Sequence, residues 1–183
     1  MRISIVIPFF FRTFARKLHT MRKDLLIELL EDGKKVSLYS VHFKGEQYTE
    51  FERFLLAYKD EPQYAEDLGV ILKRIGKIQE QGADDRHFRY EGRVKDRVMG
   101  LPSVIESSKL RLYCLRVSDS VLILGNGGEK QTKTYQENPF LNKCVENLQK
   151  IDFEIRIRED KKQIVVRGTH LEGELSFYIN EDE

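Results

Sequence analysis

The residues best equipped for chemistry are cations interleaved with aromatics. Arg86, His87, Phe88, Arg89, Tyr90, Arg93, Lys95 and Arg97 fall in one polar stretch, followed by Lys109, Arg111 and Arg116, and then by Lys130, Lys133 and Tyr135. Arginine offers a planar fork of donors that matches a phosphate, lysine a point charge, and tyrosine a face on which a base stacks. From Asp84 to Arg116 the excess of charge is modest, eight Arg and Lys against five acids, so placement says more than number. Arg111 stands in the alternating run Leu110-Arg-Leu-Tyr-Cys-Leu-Arg-Val117. Side chains alternate along a strand, so Lys109, Arg111 and Tyr113 share one face while Leu110, Leu112 and Cys114 take the other. A polar face on a central strand has two explanations: solvent exposure with helices packed on the opposite face, or a phosphate-binding concavity.

Other chemistries find little support. The chain has no metalloprotease His-Glu pair, P-loop, dinucleotide fingerprint or serine nucleophile elbow. Gly125-Asn-Gly-Gly128 lacks the Gly-Lys-Ser/Thr of a phosphate loop and reads as a turn that breaks the preceding strand. His19, His42, His87 and His170 are scattered. Of these His87 is kept as a candidate, because it sits beside Arg86 and Arg89 and a neutral imidazole can act as a base near pH 7. Cys114 and Cys144 have no second pair at metal-ligand spacing, so neither a zinc site nor a secreted disulfide scaffold is expected. The expectation is two reduced thiols in a cytoplasmic protein, with no metal and no cofactor.

The elements that must position these groups follow from periodicity. With 183 residues, 31 Lys and Arg against 30 Asp and Glu, and only 12 Gly and 4 Pro, the chain has an ordinary globular composition. Residues 1–23 form a basic and apolar N-terminal extension: Ile3 to Phe11 is apolar, and six cations occur before the first acid, Asp24. The apolar run is too short to span a bilayer, so no membrane role is expected, and it lacks a small-residue cleavage site. Met21 is an alternative start of the functional domain. Asp24 to Leu30 reads as helix or turn and Val36 to Phe43 as a strand. Helices follow at 48–58 and 64–80, split near Pro62. Leu110 to Val117 and Ser120 to Gly125 form a central hairpin, and Pro139 opens a helix whose buried stripe is Leu141, Val145 and Leu148. From Ile151 onward Phe153, Ile155 and Ile157 alternate with charges, which predicts a C-terminal antiparallel appendage over 151–183, with nine acids against five bases.

Between residues 36 and 150 the chain resembles the RelE/HigB-type toxins of bacterial toxin–antitoxin pairs. The likeness rests on Glu50-Phe-Glu-Arg-Phe-Leu55 in the first helix, Gly100-Leu-Pro102, the arginine-bearing strand 110–117, Val121-Leu-Ile-Leu-Gly125, and Lys130-Gln-Thr-Lys-Thr-Tyr135. The fold it implies is α+β: an antiparallel sheet packed against two N-terminal helices, with a C-terminal helix and, here, an added C-terminal β-hairpin or meander. It divides the chain into the extension 1–23, a toxin-like domain 24–150 and the appendage 151–183. The implied activity is an endoribonuclease that cleaves messenger RNA in the ribosome by metal-independent transphosphorylation and is neutralised by an antitoxin protein. The resemblance places Arg111 at the scissile phosphate, Lys130 or Lys133 as the following cation, and Tyr135 as the late aromatic. His87 completes the catalytic candidates, and Arg86, Arg89, Arg93, Lys95 and Lys109 are the RNA-binding ones. One departure stands out: Ser103-Val-Ile-Glu-Ser-Ser108 holds no cation where many members carry part of the basic cluster. That departure favours the alternative of a non-cleaving module that binds nucleic acid or protein on the same fold. A third reading, a structural α/β protein, predicts dispersed cations rather than Arg111, Lys133 and Tyr135 converging on an open concave face. Homodimerisation is left open.

Overall fold

The computed structural model describes residues 21–93 and 95–181. The expectations for residues 1–20 and for the last two acids of the tail therefore lie outside the described residues. In chain order the elements are β1 (Met21–Glu31), β2 (Ser37–Phe43), α1 (Glu50–Tyr58), α2 (Ala65–Gln81), β3 (Arg89–Tyr90), β4 (Val98–Leu101), β5 (Leu110–Ser118), β6 (Val121–Glu129), α3 (Pro139–Asp160), β7 (Ile164–Arg167), β8 (His170–Gly173) and β9 (Ser176–Glu181). The class is α+β. Seven strands form one sheet in the order β3-β4-β5-β6-β2-β1-β9, and β7 and β8 make a separate hairpin. All pairings are antiparallel except β2 with β6, where Ser37 to Ser40 run beside Val121 to Leu124. The α1–α2 pair provides the long crossover that a parallel neighbour requires.

Alternation along the central strands divides the core in two. Leu38, Leu112, Cys114, Leu122 and Leu124 point to one face and pack on Phe51, Phe54, Leu68, Ile71, Ile75 and Ile78 of α1 and α2. Tyr39, Val41, Tyr113, Leu115 and Ile123 point to the other and pack on Leu141, Val145, Leu148, Ile151 and Ile155 of α3. The central strands are thus covered on both sides, which accounts for the continuous apolar run of β6. The helices begin on sequence signals. Thr49 and Glu52 form a reciprocal capping box on α1, with Thr49 N donating to Glu52 Oε2 at 2.8 Å and Glu52 N to Thr49 Oγ1 at 3.3 Å. Asn138 accepts from the Phe140 and Leu141 amides ahead of α3, with Pro139 in the first turn. Ser40, fully buried, donates to Leu124 O at 2.8 Å and accepts from Phe51 N at 3.1 Å, tying α1 to the parallel pair.

Three elements differ from the sequence reading. Residues 24–30 are not helix or turn but part of β1, which lies between β2 and β9 and buries Leu25 and Ile27. Gly125 to Gly128 does not break β6, which pairs with β5 as far as Glu129. A Cβ on Gly127 would lie 1.9 Å from Arg111 O, so glycine is required there by the closeness of the two backbones. Residues 151–158 are not a strand but the second half of α3, which runs to Asp160. The alternation of Phe153, Ile155 and Ile157 was misleading, because the helix buries Leu148, Ile151 and Ile155 at spacings of three and four. Only β7, β8 and β9 remain of the expected appendage, and β9 joins the main sheet beside β1.

α3 is fixed by charge as well as by packing. Arg97, just before β4, donates through Nε to Asp152 Oδ1 at 2.6 Å and through its amide to Asp152 Oδ2 at 3.1 Å, and also bonds Glu159. Among the described residues no helix is long and apolar enough to cross a membrane. The helical reading of 151–160 makes a specific prediction. Ile155→Ala, at a site 0 % exposed, is expected to cost about 2–5 kcal/mol. Phe153→Ala, at a site 63 % exposed, is expected to stay within about 0.5 kcal/mol of the parent in urea unfolding.

Candidate functional site

Arg111 and Tyr113 project from β5 toward the α3 side of the sheet, with Gly100 of β4 directly across from Tyr113 and Arg89 of β3 across from Gly100. Glu91, two residues beyond Arg89, falls on the same face. Glycine at position 100 lets the two sides meet: a Cβ there would come within 2.9 Å of Glu91 Cγ and 3.2 Å of Arg111 Cδ. The Glu91 and Arg111 side chains therefore close over Gly100. Tyr135, in the turn before α3, packs edge-on against Tyr113 with ring centroids 6.1 Å apart. Lys130, at the end of β6, acts on Glu91 electrostatically together with Arg111 and Arg89.

This cluster is buried and only partly satisfied. Arg111 is 4 % exposed, and its Nη1 donates to Pro102 O at 2.9 Å. Arg111 Nε, Arg89 Nε, Glu91 Oε1 and Tyr113 Oη are buried without a hydrogen-bond partner among the described residues. Buried polar groups are normally paired, so four such atoms in one place set this cluster apart from the apolar core around it. Burial pushes the Glu91 carboxyl above the usual carboxylate range, against the pull of Lys130, Arg111 and Arg89. Burial and the neighbouring Arg89 lower the Arg111 pKa. Burial also raises the Tyr113 and Tyr135 hydroxyls, keeping both phenols protonated. Three cations, Arg111, Arg89 and Lys130, thus act on one carboxyl, Glu91, in this cluster.

The sequence candidates divide accordingly. Arg111, Arg89, Lys130 and Tyr135 come together. Lys133 stands exposed in the loop after β6. Lys109 is exposed at the head of β5, its amide bound to Asp67 Oδ1 at 2.6 Å and its carbonyl accepting from Lys130 N at 2.8 Å. Arg93 and Lys95 line a cleft of about 600 Å³ along α3, with Asp96, Gln149, Asp152 and Arg156. Arg93 also acts electrostatically on Tyr135. Arg116, by contrast, is structural, paired with Asp85 and Asp119 and donating to Ala83 O.

His87 and Arg86 belong elsewhere. His87 is buried on the α2 side, with Nδ1 facing Arg74 Nη1 at 3.0 Å. Since guanidinium only donates, Nδ1 accepts, the imidazole is neutral, and its proton sits on Nε2. Arg74 in turn holds Glu106, Nε to Oε2 at 2.9 Å. Arg86 is exposed nearby, within reach of Gln81 and Asp84. His87 is thus part of a buried brace, not of the Arg111 cluster. The sequence reading did not single out Glu91, whose signal was the alternation Arg89-Tyr-Glu91 facing Gly100. It named Tyr113 only as a neighbour on the strand.

The thiols of Cys114 and Cys144 are free and buried, and burial pushes the Cys144 thiol up to about 12. Among the described residues no group of three or more His, Cys, Asp or Glu could hold a metal ion.

The brace predicts a pH dependence. Burial, and then the Arg74 cation, lower the His87 pKa in the fold. Below about pH 6.5 the unfolded chain binds a proton that the folded chain refuses, so stability falls as pH drops until the folded-state pKa is passed. His42 acts oppositely: its pKa is raised by the Glu46 carbonyl and by Glu28, and the stability it contributes is lost as pH rises through its folded-state value. Comparing the parent with His87→Gln cancels the His42 contribution. In denaturant titrations over a pH series, the parent is expected to lose stability relative to the variant from about pH 6.5 downward.

A scan of family models finds no match to this chain, and searches of curated proteins and of solved structures find none either.

Proposed function

We propose that the protein is a RelE/HigB-type endoribonuclease that cleaves messenger RNA on the ribosome without a metal and is restrained by an antitoxin protein. The observation that carries the proposal is the convergence of Arg111, Arg89 and Lys130 with a raised carboxyl, Glu91, and two phenols on one face of β3–β5. The arrangement of the fold supports it: a strand, a helix pair on one face, then antiparallel strands ending in β6 beside β2, with the arginine at the open end of the β5–β6 hairpin.

In this reading Glu91, ionised, takes the proton of the 2′-hydroxyl. The 2′-oxygen attacks phosphorus, the bond to the 5′-oxygen breaks, and the products are a 2′,3′-cyclic phosphate and a 5′-hydroxyl. Its burial makes Glu91 a stronger base than an exposed carboxylate. Arg111 and Arg89 neutralise the charge that accumulates on the phosphoryl oxygens, and the unpaired Tyr113 hydroxyl faces the same space as a proton donor to the leaving oxygen. His87 has no part in the step. Lys109 and Lys133, exposed beside Lys130, hold the RNA backbone by charge.

A second reading rests on a specific observation. Arg111 is 4 % exposed and already bound to Pro102 O, which holds it back from a scissile phosphate and leaves the exposed Lys109 and Lys133 to a module that binds without cutting. The deciding experiment is inducible expression with primer-extension mapping of messenger RNA ends, for the parent, Arg111→Ala and Glu91→Gln. The ribonuclease predicts growth arrest and new ends in the parent, and a loss of cleavage of about 10²–10³-fold in Arg111→Ala. Intact transcripts at equal protein levels would leave the non-cleaving module.

A further inference from the structure

The loop between β4 and β5, residues 102–109, ends in the most water-exposed apolar pair of the described chain. Val104 is 68 % exposed and Ile105 83 %. Glu106 N donates to Ser103 O at 3.2 Å, so Val104 and Ile105 occupy the two central positions of a turn. Turn centres favour Gly, Pro, Asn, Asp and Ser, and β-branched apolar side chains held in water gain nothing there. The loop is nevertheless held firmly. On the α2 side the Glu106 carboxylate is gripped by Arg74, with Oε1 at 2.5 Å from Nη2, and accepts from Ser103 Oγ at 3.4 Å. On the α3 side Arg111 holds Pro102 O.

The tip therefore projects as a braced apolar finger from the end of the sheet where Arg111 lies. Val104 is two residues from the carbonyl that Arg111 holds, a chain reach of at most about 7 Å. Lys109 closes the same loop, and Lys130 bonds to its backbone. Two lysines at the base of the loop, and a buried arginine with an unpaired donor that holds the loop two residues from its tip, suit a polyanion with flat apolar faces.

We propose that Val104 and Ile105 form a wedge that inserts between two neighbouring nucleobases of the RNA whose phosphate Arg111 binds. The proposal rests on the ribonuclease reading and deepens it. In-line attack by the 2′-oxygen needs a nucleotide rotated out of its stacked conformation, and apolar side chains driven between bases unstack them. The wedge removes its own apolar surface from water in the same step. The rigid brace keeps the tip from folding away as the bases close on it.

The test uses the full chain and a single-stranded RNA oligonucleotide series with 2-aminopurine placed at successive positions, whose emission rises on unstacking. Affinity is read separately by the anisotropy of an end label. The parent is expected to raise the emission several-fold at one or two adjacent positions. Val104→Ser/Ile105→Ser, two exposed substitutions checked by thermal melting, is expected to keep most of the affinity and to leave the emission at the level of free RNA. A double variant that binds and raises emission like the parent overturns the wedge and leaves the tip to a protein contact. A parent that does not bind the RNA at all also overturns the wedge, and the ribonuclease reading then stands or falls by the primer-extension experiment alone.

Discussion

A permanent positive charge has been carried almost out of water at Arg111, and its surroundings are organised by the need to compensate it. One nitrogen is answered by a backbone carbonyl, that of Pro102, and the nearest acid, Glu91, is itself pushed toward neutrality by burial. Arg89 adds repulsion instead of relief. Burial of an unbalanced charge is tolerated only where something else supplies the missing half. The glycine at 100, the parity of β3 and the turn carrying Tyr135 all converge on this point, whereas Arg97 and Arg116 of the same stretch face acids in ion pairs that fix α3 and the 83–85 segment. Similar residues a few positions apart thus serve different purposes according to the acids placed opposite them.

The two-sided sheet explains how such a cluster is kept dry. α1 and α2 seal one face through Phe51, Phe54 and Ile71, and α3 seals the other through Leu141, Val145 and Leu148. Arg111 extends from the second face near the start of α3, where helix cover gives way to the loop after β6. The close approach at Gly127 brings the β6 backbone against that of Arg111 and steadies the arginine from its own carbonyl side. An enclosed charge of this kind interacts more strongly with an anion than a solvated one, because there is less water to screen it.

The central part of this fold was legible from sequence because local signals agreed. The three- and four-residue spacing over 48–80, Pro139 at a helix start and the alternation of 110–117 are clear local signals, and the structure places both helix pair and hairpin there. Legibility failed where period and context compete. Leu25-Leu-Ile-Glu-Leu-Leu30 is built of good helix formers, and only one face of β1 is buried, so the exposed Leu26 and Leu29 hid the alternation of a strand. Residues 151–158 satisfy both periods, and in the fold they continue α3, burying Ile151 and Ile155 and pairing Asp152 with Arg97 from the segment just before β4. The site was half readable. Arg111, Arg89, Lys130 and Tyr135 stand out by type, but nothing local reveals that a two-residue strand brings Glu91 over Gly100, or that His87 is turned to the opposite face by Arg74.

The pairing of β9 with β1 also governs how the chain can be made. Ser176 reaches Leu25 across 151 positions of sequence. During synthesis at roughly 5–20 residues per second, β1 waits on the order of ten to thirty seconds for its outer neighbour. Over that interval its backbone edge is open and the apolar side of Leu25 and Ile27 lacks the cover that Phe177 and Ile179 later provide. A nascent chain in this state is a template for strand addition by any extended segment nearby. The vulnerable species is therefore the chain made as far as α3 and still lacking the six-residue strand β9.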